Sequence, residues 1–341
     1  MISTRLYKGQ GLGNQLWSYV VTRVIAADRG YGFGIEDREL FKGDSFMDLD
    51  FGQPVTGIVR RYEENEIIHP LNGADIRTHD DALLHVPDHT EIGGYMQDEQ
   101  YIAHRRDEIR QWLKVRAGCD CRDFSSDDTC IVNFRGSSYV TEAGLFLQPR
   151  YWKNAMRNML KINPKLKFVV ITEDVATAKT FFPNLPVHHF DIGTDYSIIK
   201  NARYLILSNS SFAWFPAWLS TDLRYCIAPK YWARHNVSDG FWCLNYNITS
   251  GWMYQDRQGA LHDYDSCLKE LRQYEKDNVE LYSNKMAFKP VLATRCREQA
   301  RIFRTLRAES SVFGALHSMA GMSLQRSVVR LRKLLNGDML Q

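Results

Sequence analysis

The chain has neither a long hydrophobic run nor a large excess of charge of either sign. No stretch approaches the roughly 18 consecutive apolar residues of a membrane-spanning helix, so the sequence predicts no transmembrane segment. Residues 1–7 contain no long apolar core and no cleavage site, which argues against a signal peptide. A net charge of +3 on 341 residues is too small to indicate nucleic-acid binding. We therefore expect a cytoplasmic protein without a nucleic-acid partner.

Cysteines are also too few and too irregular to organise the fold. The chain has 7, an odd number scattered along its length, which argues against a full disulfide framework and favours a reducing compartment. Cys119, Cys121 and Cys130 lie near one another in sequence, but no fourth ligand follows at a spacing typical of zinc sites. The sequence therefore predicts no metal.

The fingerprint of dinucleotide-binding proteins is incomplete. Residues 2–7 predict a first strand, residues 9–15 (G-Q-G-L-G-N-Q) a glycine-rich turn, and the apolar residues after it a helix ending at Gly30. The third glycine of the fingerprint is missing, and no acidic residue follows at the expected place. The glycines still allow a ligand to approach the backbone closely. Asn14 and Gln15 could bind that ligand or simply cap the turn.

What the chain does have is alternating strand and helix patterns and many aromatic residues. Aromatic residues make up 12% of the chain, which is typical of proteins that stack on sugars or nucleotides. Strands are predicted at 58–60, 83–86, 91–92, 130–134, 168–171, 187–189 and 204–207, with helices after most of them. This alternation predicts an α/β fold with doubly wound parallel sheets, and residues 118–128 read as a linker.

Residues 204–219 are the stretch around which the chain is organised. Four apolar residues predict a buried strand, the polar residues Ser208 to Ser211 a tight turn, and the aromatic run from Phe212 a helix. The free N–H groups at such a helix start bind anions, although a plain capped helix would have the same pattern. Pro216 predicts a kink or an early end of this helix.

Ligands of doubly wound sheets bind beyond the carboxyl ends of the strands. The predicted strands place Arg135, Glu173, Asp174 and the turn at 208–211 there. We therefore expect a binding site at this edge of the sheet.

The tail from Lys289 onward is basic, with apolar residues between the arginines. A basic amphipathic helix can lie on an anionic membrane or a partner. The alternative is a helix packed on the protein with its basic face in water.

Five separate stretches, in order, resemble glycosyltransferase family 11, the α-1,2-fucosyltransferases. Residues 9–17 resemble the signature G-G-L-G-N-Q-L-F, and residues 94–101 the block G-Y-x-Q-S-E-K-Y/F. Residues 132–140 resemble V-H-I-R-R-G-D-Y-V, residues 171–174 F-S-D-D, and residues 208–214 A-N-S-S-F-S-W. Residues 228–232 also resemble the family's A-P-x-x-W, so the resemblance spans residues 5–235.

The resemblance implies a GT-B-like enzyme with two Rossmann-like α/β domains. It would transfer fucose from GDP-fucose to a sugar hydroxyl with inversion and without a metal or other cofactor. The acceptor would be an oligosaccharide or a lipid-linked glycan in surface polysaccharide synthesis, and the tail could then contact the inner membrane face. The domains expected are an acceptor-side domain at 1–125, a nucleotide-sugar-binding domain at 126–285 and the basic helical tail at 286–341.

The resemblance also implies roles for individual residues. Arg135 would stabilise the charge that grows on the β-phosphate of the leaving GDP. The remaining donor-binding residues would be Gly11, Gly13, Asn14 and Gln15 from the N-terminal domain, with Asn133, Glu173, Asp174, Asn209, Ser210, Ser211 and Phe212 from the second. Asp98 and Glu99 are the candidates for the catalytic base. Arg135 could instead be a structural ion-pair partner, and Asp174 a helix N-cap.

The chain departs from the family motif beside the expected donor site. Asn133 stands where the family has His, and Gly136, Ser137 and Ser138 replace Arg-Gly-Asp. One cation and one carboxylate are therefore absent from the motif. These changes leave two alternatives open. The donor could be a different GDP-deoxyhexose, or the chain could be an inactive nucleotide- or glycan-binding relative.

Overall fold

The structure is a computed structural model that describes residues 1–65, 79–141, 145–230 and 248–277, with the backbone of a short hairpin formed by Ile67–Ile68 and Asp75–Ile76. The predicted basic tail lies outside the described residues. So do Tyr231 and Trp232 of the A-P-K-Y-W stretch.

Two groups of elements follow one another along the chain. The first group is β1 (Ile2–Arg5), α1 (Leu12–Arg29), β2 (Phe33–Glu36), β3 (Arg60–Glu63), β4 (Ile67–Ile68), β5 (Asp75–Ile76), α2 (Asp81–Leu84), β6 (Thr90–Gly93) and α3 (Arg106–Trp112). The second group is β7 (Thr129–Asn133), α4 (Pro149–Ile162), β8 (Lys167–Ile171), α5 (Val175–Phe181), β9 (Val187–His188), α6 (Ile192–Lys200), β10 (Tyr204–Ile206), α7 (Ser211–Leu219), β11 (Tyr225–Pro229), β12 (Met253–Gln255), β13 (Leu261–His262) and α8 (Tyr264–Asp277).

Each group forms its own sheet. The first sheet has the strand order β2-β1-β6-β3 and is parallel throughout. The second has the order β13-β12-β11-β10-β7-β8-β9, and β13 is its antiparallel edge strand. Parallel strands joined through helices are the doubly wound arrangement, so the predicted α/β class with two Rossmann-like sheets is confirmed.

Most predicted elements occur, but two differ from expectation. Residues 83–86 do not form a strand: α2 occupies Asp81–Leu84, and the Asp80 carboxylate caps it by accepting from the Ala82 N–H at 3.2 Å. Of the apolar residues that suggested a strand, only Leu83 is a buried residue of this helix. Helix α1 begins at Leu12, so Gly13, Asn14 and Gln15 lie in its first turn rather than in a loop, and it ends at Gly30 in the left-handed conformation, as expected.

The segment at 118–128, predicted as a linker, is tied to the second sheet. The Asp120 carboxylate accepts hydrogen bonds from Lys200 Nζ at 2.7 Å and from Asn201 Nδ2 at 2.8 Å. The Ser197 hydroxyl donates to the backbone oxygen of Cys119 at 2.9 Å. The connection between the sheets is therefore packed along α6, and the domain boundary at 125 stays a prediction.

Helix α7 joins the two sheets into one apolar core. Its residues from Ala213 to Leu219 are all buried. The Trp17 ring of α1 lies 4.3 Å from the Trp214 ring and 4.8 Å from the Phe215 ring, measured between centroids. Offset and tilted aromatic pairs at these separations add to the free energy gained by burying their large surfaces. The core of the first sheet thus continues into α7 without a break.

The carboxyl end of α7 is held by the first group of elements. Arg106 donates to the Trp218 carbonyl, and Arg110 Nε donates to the Leu219 carbonyl at 3.1 Å. Guanidinium groups satisfy carbonyls that have no partner in a last helical turn, and their charge suits the negative end of the helix dipole. The helix ends at Leu219, shortly after Pro216, as the sequence predicted.

The contact between α1 and α7 leaves no room for a side chain at position 13. A Cβ on Gly13 would lie 2.3 Å from the carbonyl carbon and oxygen of Ser211 and 2.5 Å from the Phe212 nitrogen. We expect Gly13→Ala to lower the free energy of unfolding by about 2 kcal/mol or more, because backbone atoms must move apart. Chemical denaturation measures this.

Gly11→Ala is the matched control, since a Cβ at Gly11 meets nothing within 4 Å. We expect its effect to stay within about 0.5 kcal/mol. Equal effects of the two substitutions would contradict the close helix contact.

Candidate active site

The carboxyl ends of three neighbouring strands meet at one edge of the second sheet. Strand β7 pairs with β10 on one side and β8 on the other. Arg135 follows β7, Glu173 and Asp174 follow β8, and the turn at 208–211 follows β10. The structure therefore brings these predicted site residues to one edge.

Arg135 forms an ion pair with Glu173 across this edge. Its guanidinium carbon also lies 5.0 Å from the centre of the Tyr139 ring. The Arg135 side chain is 28% exposed, so it remains accessible from solvent. A phosphate reaching Arg135 would compete with the Glu173 carboxylate for the same donors.

Asp174 has the structural role that the sequence left open. Its Oδ1 accepts from the Thr177 N–H at 3.1 Å and caps α5, while its Oδ2 accepts from the Ser137 N–H at 2.7 Å. These bonds, that of Ser137 first, hold the pKa of Asp174 below its usual value. A Cβ on Gly136 would lie 2.4 Å from the same Oδ2, so a larger residue there would displace the Asp174 carboxylate. Contact of Asp174 with guanine stays a prediction.

Ser137 adopts the left-handed conformation, with φ of 50°. The resembling family motif has glycine at this position, and glycine is the residue that adopts this conformation without strain. The chain thus has a serine in the left-handed conformation at the position where the family motif has glycine. The Asp174 carboxylate, bound to the Ser137 N–H, supports the turn.

Asn133 and Asn209 hold the turn at 208–211 in place. The Ser208 hydroxyl donates to Asn133 Oδ1 at 2.8 Å, and the Ser208 N–H donates to the Asn133 backbone oxygen at 3.0 Å. Asn209 Nδ2 donates to the Leu145 carbonyl at 2.8 Å. Both asparagines are buried, so their side chains shape the turn. Direct contact of either with a donor stays a prediction.

The N-termini of α1 and α7 meet at this edge. Gly11 and Ser210 are the N-cap residues. Gly11 has no side chain, and the Ser210 side chain makes no capping hydrogen bond. Neither helix has an acidic residue in its first turn. The positive ends of two helix dipoles and their N–H groups therefore lie close together without a carboxylate of their own, an arrangement that suits an anion.

Asn14 connects the two helix starts. Its Oδ1 accepts from the Ser211 hydroxyl at 2.6 Å and from Gln97 Nε2 at 2.9 Å. Phe212, next in α7, is half-buried, with its ring centre 6.1 Å from that of Tyr196. Sequence reasoning missed Gln97, although it is the glutamine of the G-Y-x-Q block and so carried a signal.

Gln15 serves a different part of the molecule. Its Nε2 donates to the Leu40 carbonyl at 2.8 Å, and its Oε1 accepts from the Lys42 N–H at 2.9 Å. The side chain is buried and both amide groups bind backbone. Gln15 therefore fixes the segment after β2, and the structure does not bring its amide to the helix starts.

Asp98 and Glu99 point to different surroundings. Asp98 caps a short 3-10 helix by accepting from the Gln100 N–H at 2.9 Å, and its Oδ2 lies 3.0 Å from His79 Nδ1. Glu99 accepts from Trp218 Nε1 at 2.6 Å and from the Ser250 N–H at 3.3 Å, so it ties α7 to the first group of elements. Burial raises the pKa of Glu99, and the bond from Trp218 opposes this. His79 carried no recognisable sequence signal.

Within the described ranges, no cluster of three or more His, Cys, Asp or Glu side chains could hold a metal ion. Independence of metal stays a prediction. No helix in the described part of the chain is both long and apolar enough to cross a bilayer.

Comparison with known proteins identifies glycosyltransferases as relatives. No protein-family profile matches the chain. The chain is 24% identical over 202 residues to an alpha-1,2-colitosyltransferase of Escherichia coli, a match that covers 53% of this chain and 66% of that protein. It is also 24% identical over 165 residues to the O-antigen biosynthesis glycosyltransferase WbnK of Escherichia coli, covering 42% and 55%. The chain thus spans just under two thirds of the first relative and just over half of the second.

Solved structures resemble the chain only distantly. The fucosyltransferase NodZ from Bradyrhizobium is 12% identical with a TM-score of 0.38, and the match covers 64% of this chain and 92% of that one. A family 9 glycosyltransferase from Veillonella parvula is 12% identical with a TM-score of 0.39, covering 90% and 97%. At these values the likeness carries no argument about function. The sequence matches alone make the chain a relative of glycosyltransferases; membership of family 11 stays a prediction.

The left-handed conformation of Ser137 predicts a gain in stability on substitution. We expect Ser137→Gly to raise the free energy of unfolding by about 0.5 kcal/mol, because relief of the left-handed strain outweighs the added freedom of the unfolded chain. Ser137→Ala is the control, since it keeps a Cβ at φ of 50° and should give no gain. Denaturant titration of the three proteins measures this, and a gain with alanine would contradict the strain.

Proposed function

We propose that the chain is an inverting glycosyltransferase that transfers fucose from GDP-fucose to a sugar hydroxyl during surface polysaccharide or oligosaccharide synthesis. The observation that carries this proposal is the meeting of two helix N-termini without side-chain caps, those of α1 and α7, at the sheet edge where Arg135 also lies. A nucleotide diphosphate is the ligand class that such an arrangement suits.

The proposed chemistry follows from charge. When the bond between the sugar and GDP breaks, negative charge grows on the β-phosphate. N–H groups of residues 209–212 would stabilise that charge, as would the Arg135 guanidinium once the phosphate takes the place of the Glu173 carboxylate. Gly11 leaves open space at the start of α1 where the donor would lie, and Gly13 lets α1 approach the α7 backbone closely enough for the two helix starts to meet. A metal would not be needed for this step.

The two relatives support the proposed class of reaction. Both are named as glycosyltransferases, one of them for O-antigen biosynthesis and the other for an alpha-1,2 linkage. An oligosaccharide or lipid-linked glycan is therefore the acceptor that we propose. Peripheral contact with the membrane through the basic tail belongs to this proposal and depends on residues outside the described ranges.

A different GDP-deoxyhexose is the second candidate donor. The relative named for colitose favours it, as do Gly136, Ser137 and Ser138, which replace the Arg-Gly-Asp of the family motif. An inactive binding protein is the remaining alternative, and product formation from a GDP-sugar separates it from both enzymes.

Nucleotide binding is the first measurement. We expect GDP to raise the melting temperature, and UDP, dTDP and CMP not to, because only a ligand that binds the native state stabilises it. At 100 times the dissociation constant the stabilisation is about 2.7 kcal/mol. Arg135→Ala should remove most of the shift, because the guanidinium is the only candidate cation that we assign to the β-phosphate.

Arg203→Ala is the matched control. Arg203 precedes β10, at the opposite edge of the same sheet; it pairs with Asp127 and is 34% exposed, much like Arg135. We expect this variant to keep the full GDP shift. A shift with UDP or dTDP instead of GDP would contradict the fucosyltransferase proposal, and no shift with any nucleotide would contradict a donor site altogether.

A further inference from the structure

We propose, on the basis of the transferase function proposed above, that His79 is the general base that removes the proton from the acceptor hydroxyl. Asp98 is then the residue that positions His79. Neither the sequence pattern nor the comparisons assign a role to His79.

His79 is held on one side by a buried carboxylate. Its Nδ1 lies 3.0 Å from Asp98 Oδ2, and the Asp98 side chain is 5% exposed. The imidazole also packs on the Tyr101 ring, with the ring centres 4.8 Å apart. The buried Asp98 carboxylate at Nδ1 holds a proton there more strongly than the exposed Asp81 carboxylate holds one at Nε2, so the neutral ring has its lone pair on Nε2. The ring is therefore oriented and set in the tautomer that a base requires.

The other nitrogen of His79 faces an exposed group. His79 Nε2 lies 3.1 Å from Asp81 Oδ1, and the Asp81 side chain is 87% exposed. The protonated ring donates to both carboxylates, but in the neutral ring Nε2 is an acceptor and no longer hydrogen-bonds to the Asp81 carboxylate, which also only accepts. A sugar hydroxyl arriving from solvent can supply the missing proton donor. The His79 side chain is itself 23% exposed, which leaves Nε2 accessible.

His79 lies in the part of the fold where an acceptor is expected. It contacts the segment that follows β6, whose carboxyl end is on the edge of the first sheet where α1 also starts. Gln97, the chain neighbour of Asp98, donates to Asn14, and Asn14 accepts from the Ser211 hydroxyl. Asp98, which holds His79, is therefore linked to the proposed donor site through its chain neighbour Gln97 and two hydrogen bonds, those of Asn14 with Gln97 and with Ser211.

The surroundings of His79 are negatively charged. Asp98 and Asp81 face the ring directly, and the Tyr101 hydroxyl behind it donates to the buried Glu64 carboxylate at 3.3 Å. The Asp80 carboxylate, on the residue next to His79, is also buried and accepts from the Tyr62 hydroxyl at 2.9 Å. The hydrogen bond from Asp98 raises the pKa of His79 the most, against burial, which lowers it; Asp81 adds to the rise. The imidazolium that forms after proton transfer is thus stabilised. The neutral base is present above the raised pKa of His79 and is lost as the pH falls through it.

The two carboxylates predicted as bases are occupied. Asp98 Oδ1 accepts from the Gln100 N–H at 2.9 Å while Oδ2 faces His79. Glu99 accepts from Trp218 and Ser250 in the contact between the two sheets. Asp98 therefore acts through His79 rather than on the acceptor.

The proposed step is a single displacement. The acceptor oxygen attacks the anomeric carbon of the donor sugar, and its proton passes to His79 Nε2. The bond between the anomeric carbon and the β-phosphate oxygen breaks, and GDP leaves with the electron pair. The imidazolium then returns its proton to solvent, so His79 ends the cycle neutral.

Three variants test the assignment with GDP-fucose as donor and lactose as the acceptor probe, by release of GDP. We expect His79→Gln to lower kcat at least about 100-fold, within the usual range for loss of a general base, with an unchanged GDP-induced melting shift. Wild-type kcat/KM should rise with pH as His79 loses its proton. In Asp98→Asn the rise of kcat/KM should move to lower pH, because the carboxylate that raises the pKa of His79 is lost. Added imidazole should restore part of the activity of His79→Gly.

His104→Gln is the matched control. His104 Nε2 lies 2.8 Å from Asp28 Oδ2 in an exposed histidine–aspartate pair of the same group of elements. We expect wild-type kcat and pH dependence for it. If His79→Gln keeps the wild-type kcat and the wild-type pH dependence of kcat/KM, His79 is not the general base, although the transferase function still stands. Wild-type protein that neither binds GDP nor releases it from GDP-fucose would overturn the transferase function itself.

Discussion

The backbone contact between α1 and α7 is the constraint on which the rest of the molecule depends. Because Gly13 has no side chain, the first turn of α1 reaches the Ser211 backbone, and Trp17 can then enter the aromatic cluster of α7. The same contact aligns the two helix starts and brings Asn14 within hydrogen-bonding distance of Ser211. One missing methyl group thus sets both the packing of the two sheets and the shape of the site.

The site is built mainly by side chains that bridge distant parts of the chain. Asn14 binds Gln97 and Ser211, Glu99 binds Trp218, and the carboxyl edge of the second sheet contributes Arg135 through its pair with Glu173. Buried polar groups with all their partners in place make a fold specific, because any other arrangement would leave them unpaired in a low-dielectric interior. The same bonds that define the fold therefore also hold the proposed binding groups in position.

Local patterns predicted β7 to β10 of the second sheet, since these are short apolar runs joined through amphipathic or capped helices, as at β8 and α5, but they did not predict β11, β12 or β13. The same reasoning placed Arg135, Asp174 and the 208–211 turn at one edge, because parallel strands share their carboxyl edge. It misassigned residues 83–86, where Leu83 and Leu84 fit a strand as well as a single helical turn. Pairings between distant residues, such as His79 with Asp98, leave no periodic signal and could not have been found.

Helix α7 belongs to the second group of elements but packs against α1 of the first, so a cut at the predicted domain boundary would separate the two helices. The predicted boundary at 125 separates α1 from the helix that covers Trp17, which is fully buried against Trp214 and Phe215. A fragment that ended there would present this indole face to water, and the complementary fragment would present the apolar side of α7. The second half keeps a separate apolar cluster that includes Val132, Trp152 and Ile206. The shared contact between α1 and α7 nevertheless couples the unfolding of the first half to that of the second.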